Sequence, residues 1–301
     1  MKKTVEEWLQ REIDTPVQIS IDENVFGQLI TGMGAGREGN GSTTSLYYKA
    51  MRLAQMMPHK NICLVDLHLS EPCLDKFFHV KSEKLIMNLD SLFKQITDSI
   101  TKTMIQNNTI NSKKHPNLFL LPGTRKPFSA DSFSADVLLT ILMALKQLFH
   151  VVFVDVSAHF DNPGTVAGLI AADSIVAYSN GDQDGLRLFN LYQSTLFEHH
   201  PELIEKIKGI AVENLGQRKV DIHSYLTIPV IGALPHLSEL HEPFTDKSML
   251  DGKQKDKYGE KLDQILSHLG LLQGHEHQLK ATKKRKGWKL WPTRQSSNSN
   301  A

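Results

Sequence analysis

Short continuous apolar runs alternate along this chain with longer stretches in which leucine, alanine and methionine recur at helical spacing. The run V-F-G-Q-L-I-T-G-M-G at 25–34 enters a glycine-rich turn, and T-T-S-L-Y-Y-K-A-M-R-L-A-Q-M-M at 43–57 follows it with a helical pattern. N-I-C-L-V-D-L-H is a short apolar strand ending on acid and histidine, as expected for a parallel strand buried on both faces. The alternation continues with a helical stretch near 82–106, the strand L-F-L-L-P, the helix D-V-L-L-T-I-L-M-A-L-K-Q-L-F, and the strand H-V-V-F-V-D-V. A helix near 163–172, the strand D-S-I-V-A-Y, a helix near 184–198, and the strands I-K-G-I-A-V-E-N and I-P-V-I-G-A-L-P complete it. This order predicts a doubly wound α/β fold, a mostly parallel sheet with helices on both faces. Residues 1–24 are read as an N-terminal arm whose P-V-Q-I-S-I-D is a strand or a packing arm, 25–274 as the main domain, and 275–301 as a basic tail.

Composition adds a sizeable core and an uneven charge. Of 301 residues, 40% are hydrophobic, which suits a globular domain. The longest apolar stretch, 137–145, is closed by Lys146, well short of the roughly 20 residues that span a bilayer. The N-terminal M-K-K-T-V-E-E-W-L-Q lacks an apolar run of the secretory kind, and the two cysteines, Cys63 and Cys73, are not in a metal-type spacing; a cytoplasmic protein is expected. Seven basic residues and no acid lie from Lys280 onward, and removing these seven from the formal net charge of +1 leaves −6 on residues 1–279. Attraction to phosphate polymers or anionic lipid is therefore expected in the tail. There K-K-R-K-G-W-K-L-W-P fits a solvated terminus, contact with an anionic membrane, or nucleic-acid stacking, with the acidic body weighing against nucleic acid.

Candidate chemistry concentrates after the first long apolar run. Residues 34–45 read G-A-G-R-E-G-N-G-S-T-T-S, close to the phosphate-cradling G-x-x-x-x-G-K-[ST] but with Ser42 at the lysine position. In an open parallel sheet, ligands gather at the carboxyl ends of the strands. The glycine loop, Asp66 and Asp155 all fall there; each acid fits either a helix or loop cap or a metal or switch role. The paired histidines His199 and His200, and His275 and His277, lack a complementary ligand set and fit surface positions.

The ordered set resembles the MinD/ParA superfamily of deviant P-loop ATPases over roughly residues 25–245. R-E-G-N-G-S-T-T at 37–44 lies without gaps on that family's K-G-G-x-G-K-T-T. I-C-L-V-D-L-H-L-S-E-P-C-L-D is similar to its switch I strand with D-x-D, and V-V-F-V-D-V-S-A-H-F-D-N-P to its switch II strand. I-A-V-E-N and V-I-G-A-L-P are similar to the strands that frame adenine. Within the superfamily, N-P-G-T followed by L-I-A-A-D-S-I-V-A-Y resembles the CpaE/TadZ branch, which helps position pilus and secretion machinery.

The resemblance implies ATP or ADP with Mg²⁺ as cofactor. It implies Gly36, Arg37, Gly39, Asn40, Gly41, Ser42, Thr43 and Thr44 as the phosphate loop, Asn214 and Pro235 at adenine, and Thr43 with Asp155 as Mg²⁺ ligands. It also marks losses. Ser42 replaces the lysine that neutralises the β- and γ-phosphates, Arg37 replaces the lysine that reaches across a dimer, and His68 replaces the second acid of D-x-D, leaving Asp66 as the one catalytic candidate. Because phosphoryl transfer depends on positioning and electrostatics, these losses are expected to cost on the order of 10³-fold in rate. The implied function is a non-hydrolysing or very slow cytoplasmic scaffold or positioning factor, homodimeric, with a protein partner in an assembly machine. The alternative is an active enzyme, either an ATPase using Arg37 in place of the lysine or a relative of bacterial tyrosine kinases.

Overall fold

The central strands of this chain are buried and mostly apolar on both faces, so the sheet they form has to be covered on both sides. A computed structural model describes residues 17–21, 26–81, 86–160, 162–213, 228–235 and 253–272. In chain order the strands are β1 (Gln18–Ser20), β2 (Gln28–Gly34), β3 (Ile62–Leu67), β4 (Ser99–Thr101), β5 (Ile110–Asn111), β6 (Leu118–Leu121), β7 (Val151–Val156), β8 (Ser174–Ser179), β9 (Ile207–Glu213) and β10 (Val230–Leu234). The helices are α1 (Ser42–Met56), α2 (Leu74–Phe77), α3 (Leu89–Gln95), α4 (Lys102–Asn108), α5 (Ala135–Leu148), α6 (Pro163–Ala171), α7 (Gln183–His199), α8 (Glu202–Lys206) and α9 (Lys253–His268).

Eight strands form one sheet in the order β10-β9-β8-β2-β7-β3-β6-β5, parallel throughout except for the edge pair β5 and β6. The doubly wound expectation is met. Side chains alternate between the two faces with the period of two that a pleated strand imposes. Leu29, Cys63, Val65, Val152, Val154, Ile175 and Ala177 join the core under α3 to α8. Ile30, Ile62, Leu64, Val151, Phe153, Val176 and Tyr178 join the core under α1, α2 and α9.

Three local features refine this picture. The stretch 82–106 holds two short helices, α3 and α4, separated by β4. Asn88 caps the first by accepting from Ser91 N at 2.9 Å, and Thr101 caps the second by accepting from Met104 N at 3.2 Å, so each start is fixed locally. β4 pairs in parallel with β1, in register from Gln18 opposite Ser99, so of the two readings of P-V-Q-I-S-I-D the strand holds over Gln18–Ser20. In addition, α9 covers the sheet face at β10: its Ile265 lies so close over Gly232 that a Cβ there would meet its Cγ1 at 2.6 Å.

Candidate functional site

The glycine loop leaves β2 at Gly34 and turns into α1 through three residues with left-handed backbone: Gly36 (φ 74°), Gly39 (φ 76°) and Gly41 (φ 78°). Such angles cost a side-chain-bearing residue about 1–2 kcal/mol, so the loop's path is glycine's to take. Gly41 is the N-cap of α1 and no side chain caps that helix; its first turn carries no acid. The macrodipole and free N–H groups at this end are therefore offered to an anion. Asn40, buried, donates from Nδ2 to Arg37 O at 2.7 Å and accepts at Oδ1 from Asn180 N at 3.4 Å, tying the loop to the turn after β8.

Ser42 and Thr44 sit in the first turn of α1. Thr43 Oγ1 donates to Asp155 Oδ2 at 2.6 Å. Asp155, 1% exposed, stands opposite Asp66 in the β3–β7 register. Burial, then the facing Asp66, pushes its carboxyl up to about 8 against the Thr43 hydrogen bond and His68. Its Oδ1 has no hydrogen-bond partner among the described residues. An orphaned buried carboxylate oxygen beside a threonine hydroxyl is a donor set suited to a hard divalent cation such as Mg²⁺, so the expected ligands Thr43 and Asp155 do stand together. Among the described residues, here or elsewhere, no group of three histidine, cysteine or acidic side chains could hold a metal.

Asp66 is used differently. Its Oδ2 accepts from Cys73 N and Leu74 N, each at 2.9 Å, and its Oδ1 from His68 N at 3.3 Å. It therefore caps the start of α2 and closes the loop after β3. Burial raises it to about 6 despite these three bonds. Behind it, Gly123 leaves room that a Cβ would fill, 2.6 Å from Pro72 and 3.1 Å from Asp66 Cγ.

Arg37 does not fold over the loop. Its guanidinium pairs with Asp182 at 3.1 Å and Asp184 at 3.5 Å, at the start of α7. Gly36 packs on the same turn, and a Cβ there would stand 2.2 Å from Gly185 O. Pro235 follows the end of β10, at the same sheet edge but three strands away from β2. Asn214 and the tail from residue 275 lie outside the described residues.

The structure adds site residues that the sequence reading passed over. Glu38 Oε1 accepts from Ser157 Oγ at 2.7 Å and Ala158 N at 2.8 Å, and pairs with His68 Nε2 at 3.3 Å. Burial pushes Glu38 upward, but the bonds from His68 and Ser157 win and bring it down to about 2. Burial would likewise lower His68; the hydrogen bond and charge of Glu38, with Asp155 and Asp66, raise it to about 9, so it is an imidazolium at neutral pH. The available signal was a glutamate standing where K-G-G-x-G-K-T-T has glycine. Lys49 is a second addition. It is fully buried on α1, donating to Ser45 Oγ and to Tyr178 Oη at 2.9 Å.

No family model matches the chain, and no curated protein sequence matches it. Solved structures do match in fold. MinD from Pyrococcus horikoshii, complexed with Mg-ADP, is 15% identical with a TM-score of 0.65, over 83% of this chain and 98% of that one. A ParA family ATPase from Chlorobium tepidum is 16% identical with a TM-score of 0.65, over 81% and 98%. A MinC:MinD cell division complex from Aquifex aeolicus is 17% identical with a TM-score of 0.60, over 80% and 96%. At these identities the likeness is one of fold, and the fold is that of the MinD/ParA P-loop ATPases.

Proposed function

We propose that this chain is a nucleotide-binding, non-hydrolysing or very slow MinD/ParA-like protein that acts as a cytoplasmic scaffold or positioning factor. The observation that carries the proposal is the juxtaposition at the end of β2. An uncapped helix N-terminus and three left-handed glycines offer an anion cradle, the Thr43–Asp155 pair offers a cation site, and Ser42 stands where the family's lysine would neutralise phosphate. The cradle supports binding of ATP or ADP. Mg²⁺, held by Thr43 and Asp155, would supply charge neutralisation at the phosphates.

The groups that turnover needs are otherwise committed. Arg37 is held by Asp182 and Asp184 at the start of α7, and Asp66 is spent on capping α2. Both observations favour slow chemistry over an Arg37-assisted ATPase. The Mg-ADP bound to the archaeal MinD and the MinC partner of the bacterial one support a nucleotide cofactor and a protein partner here. We place the partner in a pilus or secretion apparatus on the strength of N-P-G-T and L-I-A-A-D-S-I-V-A-Y, with a homodimer as the working unit and the 280–301 tail as contact to an anionic membrane. No described helix is long and apolar enough to cross a bilayer.

Calorimetric titration with ATP and with ADP in Mg²⁺, paired with phosphate release, tests the proposal. Saturable binding with turnover on the order of 10³-fold below an ordinary P-loop ATPase is expected. Brisk phosphate release that disappears in Asp155→Ala, or no binding of either nucleotide, sinks it.

A further inference from the structure

Glu38 is out of place in an anion-binding loop. A fixed carboxylate there repels the phosphates that the glycines are shaped to receive, yet it is well bonded. Its Oε1 takes three donors from two other strand ends: the Ser157 hydroxyl at 2.7 Å, Ala158 N–H at 2.8 Å and His68 Nε2 at 3.3 Å. Ser157 Oγ accepts from His159 N at 3.1 Å, which directs its own proton toward Glu38. The three donor residues are buried, at 2%, 0% and 7% exposure, while the Glu38 side chain is 34% exposed. Donors fixed in the protein thus surround an acceptor that arrives from a mobile-length side chain on the solvent side. Three donors on one oxygen, one of them cationic, is the arrangement that holds a phosphate oxygen as readily as a carboxylate oxygen.

We infer that Glu38 is a built-in anion: its carboxylate fills a receptor made of the Ser157 hydroxyl, the Ala158 N–H and the His68 imidazole, and a terminal phosphate binds that receptor once Glu38 is withdrawn. The receptor's placement follows from the sheet. β3 and β7 are neighbours, so the loops after Leu67 and Val156 emerge side by side, next to the Thr43–Asp155 pair. In the resting protein the carboxylate bridges both loops to the glycine loop. An incoming phosphate and Glu38 cannot share the receptor, because two anions on the same three donors lose more to repulsion than either gains. Displacing Glu38 frees the loop between Gly36 and Gly39 while the phosphate takes over the hold on the β3 and β7 ends. A chain without the loop lysine in this way keeps its two switch-like loops ordered without a ligand, and discriminates for ligands that carry a terminal phosphate.

The receptor itself rests on the geometry above; its use by a nucleotide rests on the proposed function, and the two are separable. Inorganic phosphate is titrated into the full chain and into Glu38→Ala and Glu38→Gln, following the His68 ring signals and amide exchange at Ala158. Both variants are expected to bind phosphate roughly tenfold or more tightly than the unsubstituted chain. In Glu38→Ala the Ala158 amide should exchange faster without phosphate and slow again with it. Glu38→Gln keeps the side-chain shape, so it carries the test where the alanine variant is too unstable. Equal phosphate affinity in all three chains, or His68 signals indifferent to phosphate in both variants, overturns the inference. ATP and ADP are then compared: the variants should gain affinity for ATP and little for ADP. Phosphate gain without any nucleotide binding keeps the receptor and removes the nucleotide reading. Nucleotide binding with no phosphate gain does the reverse.

Discussion

Asp66 and Asp155 are register neighbours on β3 and β7, and what each is bonded to separates their roles. Asp66 meets three backbone N–H groups and is a structural cap; Asp155 meets one hydroxyl and has an oxygen without a hydrogen-bond partner among the described residues, which is what the proposed cation site draws on. Both acids were legible as strand-end carboxylates, but their division of labour depends on where the chain between Leu67 and Leu74 turns, which no local pattern states. Glu38 and His68 were legible as departures from a pattern, though not as partners, since they lie 30 positions apart in the chain with α1 and β3 between them. Their bond has a pH signature. His68 is raised from 6.5 to about 9, so its stabilisation is complete below 6.5 and is lost as pH rises through about 9. Glu38 is lowered from 4.5 to about 2, so its share is present above 4.5 and is lost as pH falls through about 2. Asp155, raised to about 8, also makes stability fall as pH rises, so the bridge has to be isolated by a double-mutant cycle of Glu38→Gln and His68→Asn. With Glu38 partly exposed and screened, urea denaturation should give a coupling of about 1 kcal/mol at pH 6 that vanishes near pH 10. A coupling that is flat across this range contradicts the assigned charges.

At the scale of elements, the glycine loop shows how much a sequence pattern can and cannot say. The three glycines announce a turn, yet they are not equivalent. Gly36 and Gly39 have nearly the same φ, 74° and 76°, but a Cβ at Gly36 would meet Gly185 O at 2.2 Å, whereas nothing lies within 4 Å of one at Gly39. Gly39→Ala therefore pays only for its backbone angle, about 1–2 kcal/mol. Gly36→Ala adds a collision with a backbone carbonyl that has no rotamer to escape into, and should cost about 3 kcal/mol or more. Chemical denaturation of the two variants checks this, and equal losses would show that the contact with α7 is absent in solution. The contact matters to the site because Asp182 and Asp184, at the start of α7, also pair with Arg37, so the glycine loop is tied to that helix end at two points. The helical stretch near 82–106 breaks around β4, and its break is hard to read because the polar caps Asn88 and Thr101 look like ordinary surface residues until each is seen accepting an N–H. Lys49 was invisible for the converse reason. It lies three residues after Leu46 and four before Leu53, on the inner stripe of α1, and a lysine is expected to leave such a stripe.

For the whole molecule, the mostly parallel sheet and its two-faced covering were readable from alternating strands and helices, because each continuous apolar strand demands cover on both faces; the strand order was not, since it depends on where each crossover returns. The last helix was not read, although Tyr258, Leu262, Ile265, Leu266 and Leu269 recur at helical spacing within a segment rich in charge. These five side chains are buried, and they close the face of the sheet that carries α1. Arg52 of α1 adds a bidentate pair to Asp263 of α9, with both contacts at 2.8 Å, so the helix that starts at the glycine loop is clamped to the end of the described chain. Removing α9 would return five buried apolar or aromatic side chains to water and expose their partners. At about 1.5–3 kcal/mol each, the loss is on the order of 10 kcal/mol, comparable to the whole stability of a typical domain. A chain ending at residue 252 should therefore fail to fold, seen as loss of a cooperative thermal transition. One ending at residue 272 should melt close to the full chain, because it keeps every buried contact of α9 among the described residues. If the shorter chain melts cooperatively, α9 is an appendage, and the Arg52–Asp263 clamp has no part in holding α1 beneath the glycine loop.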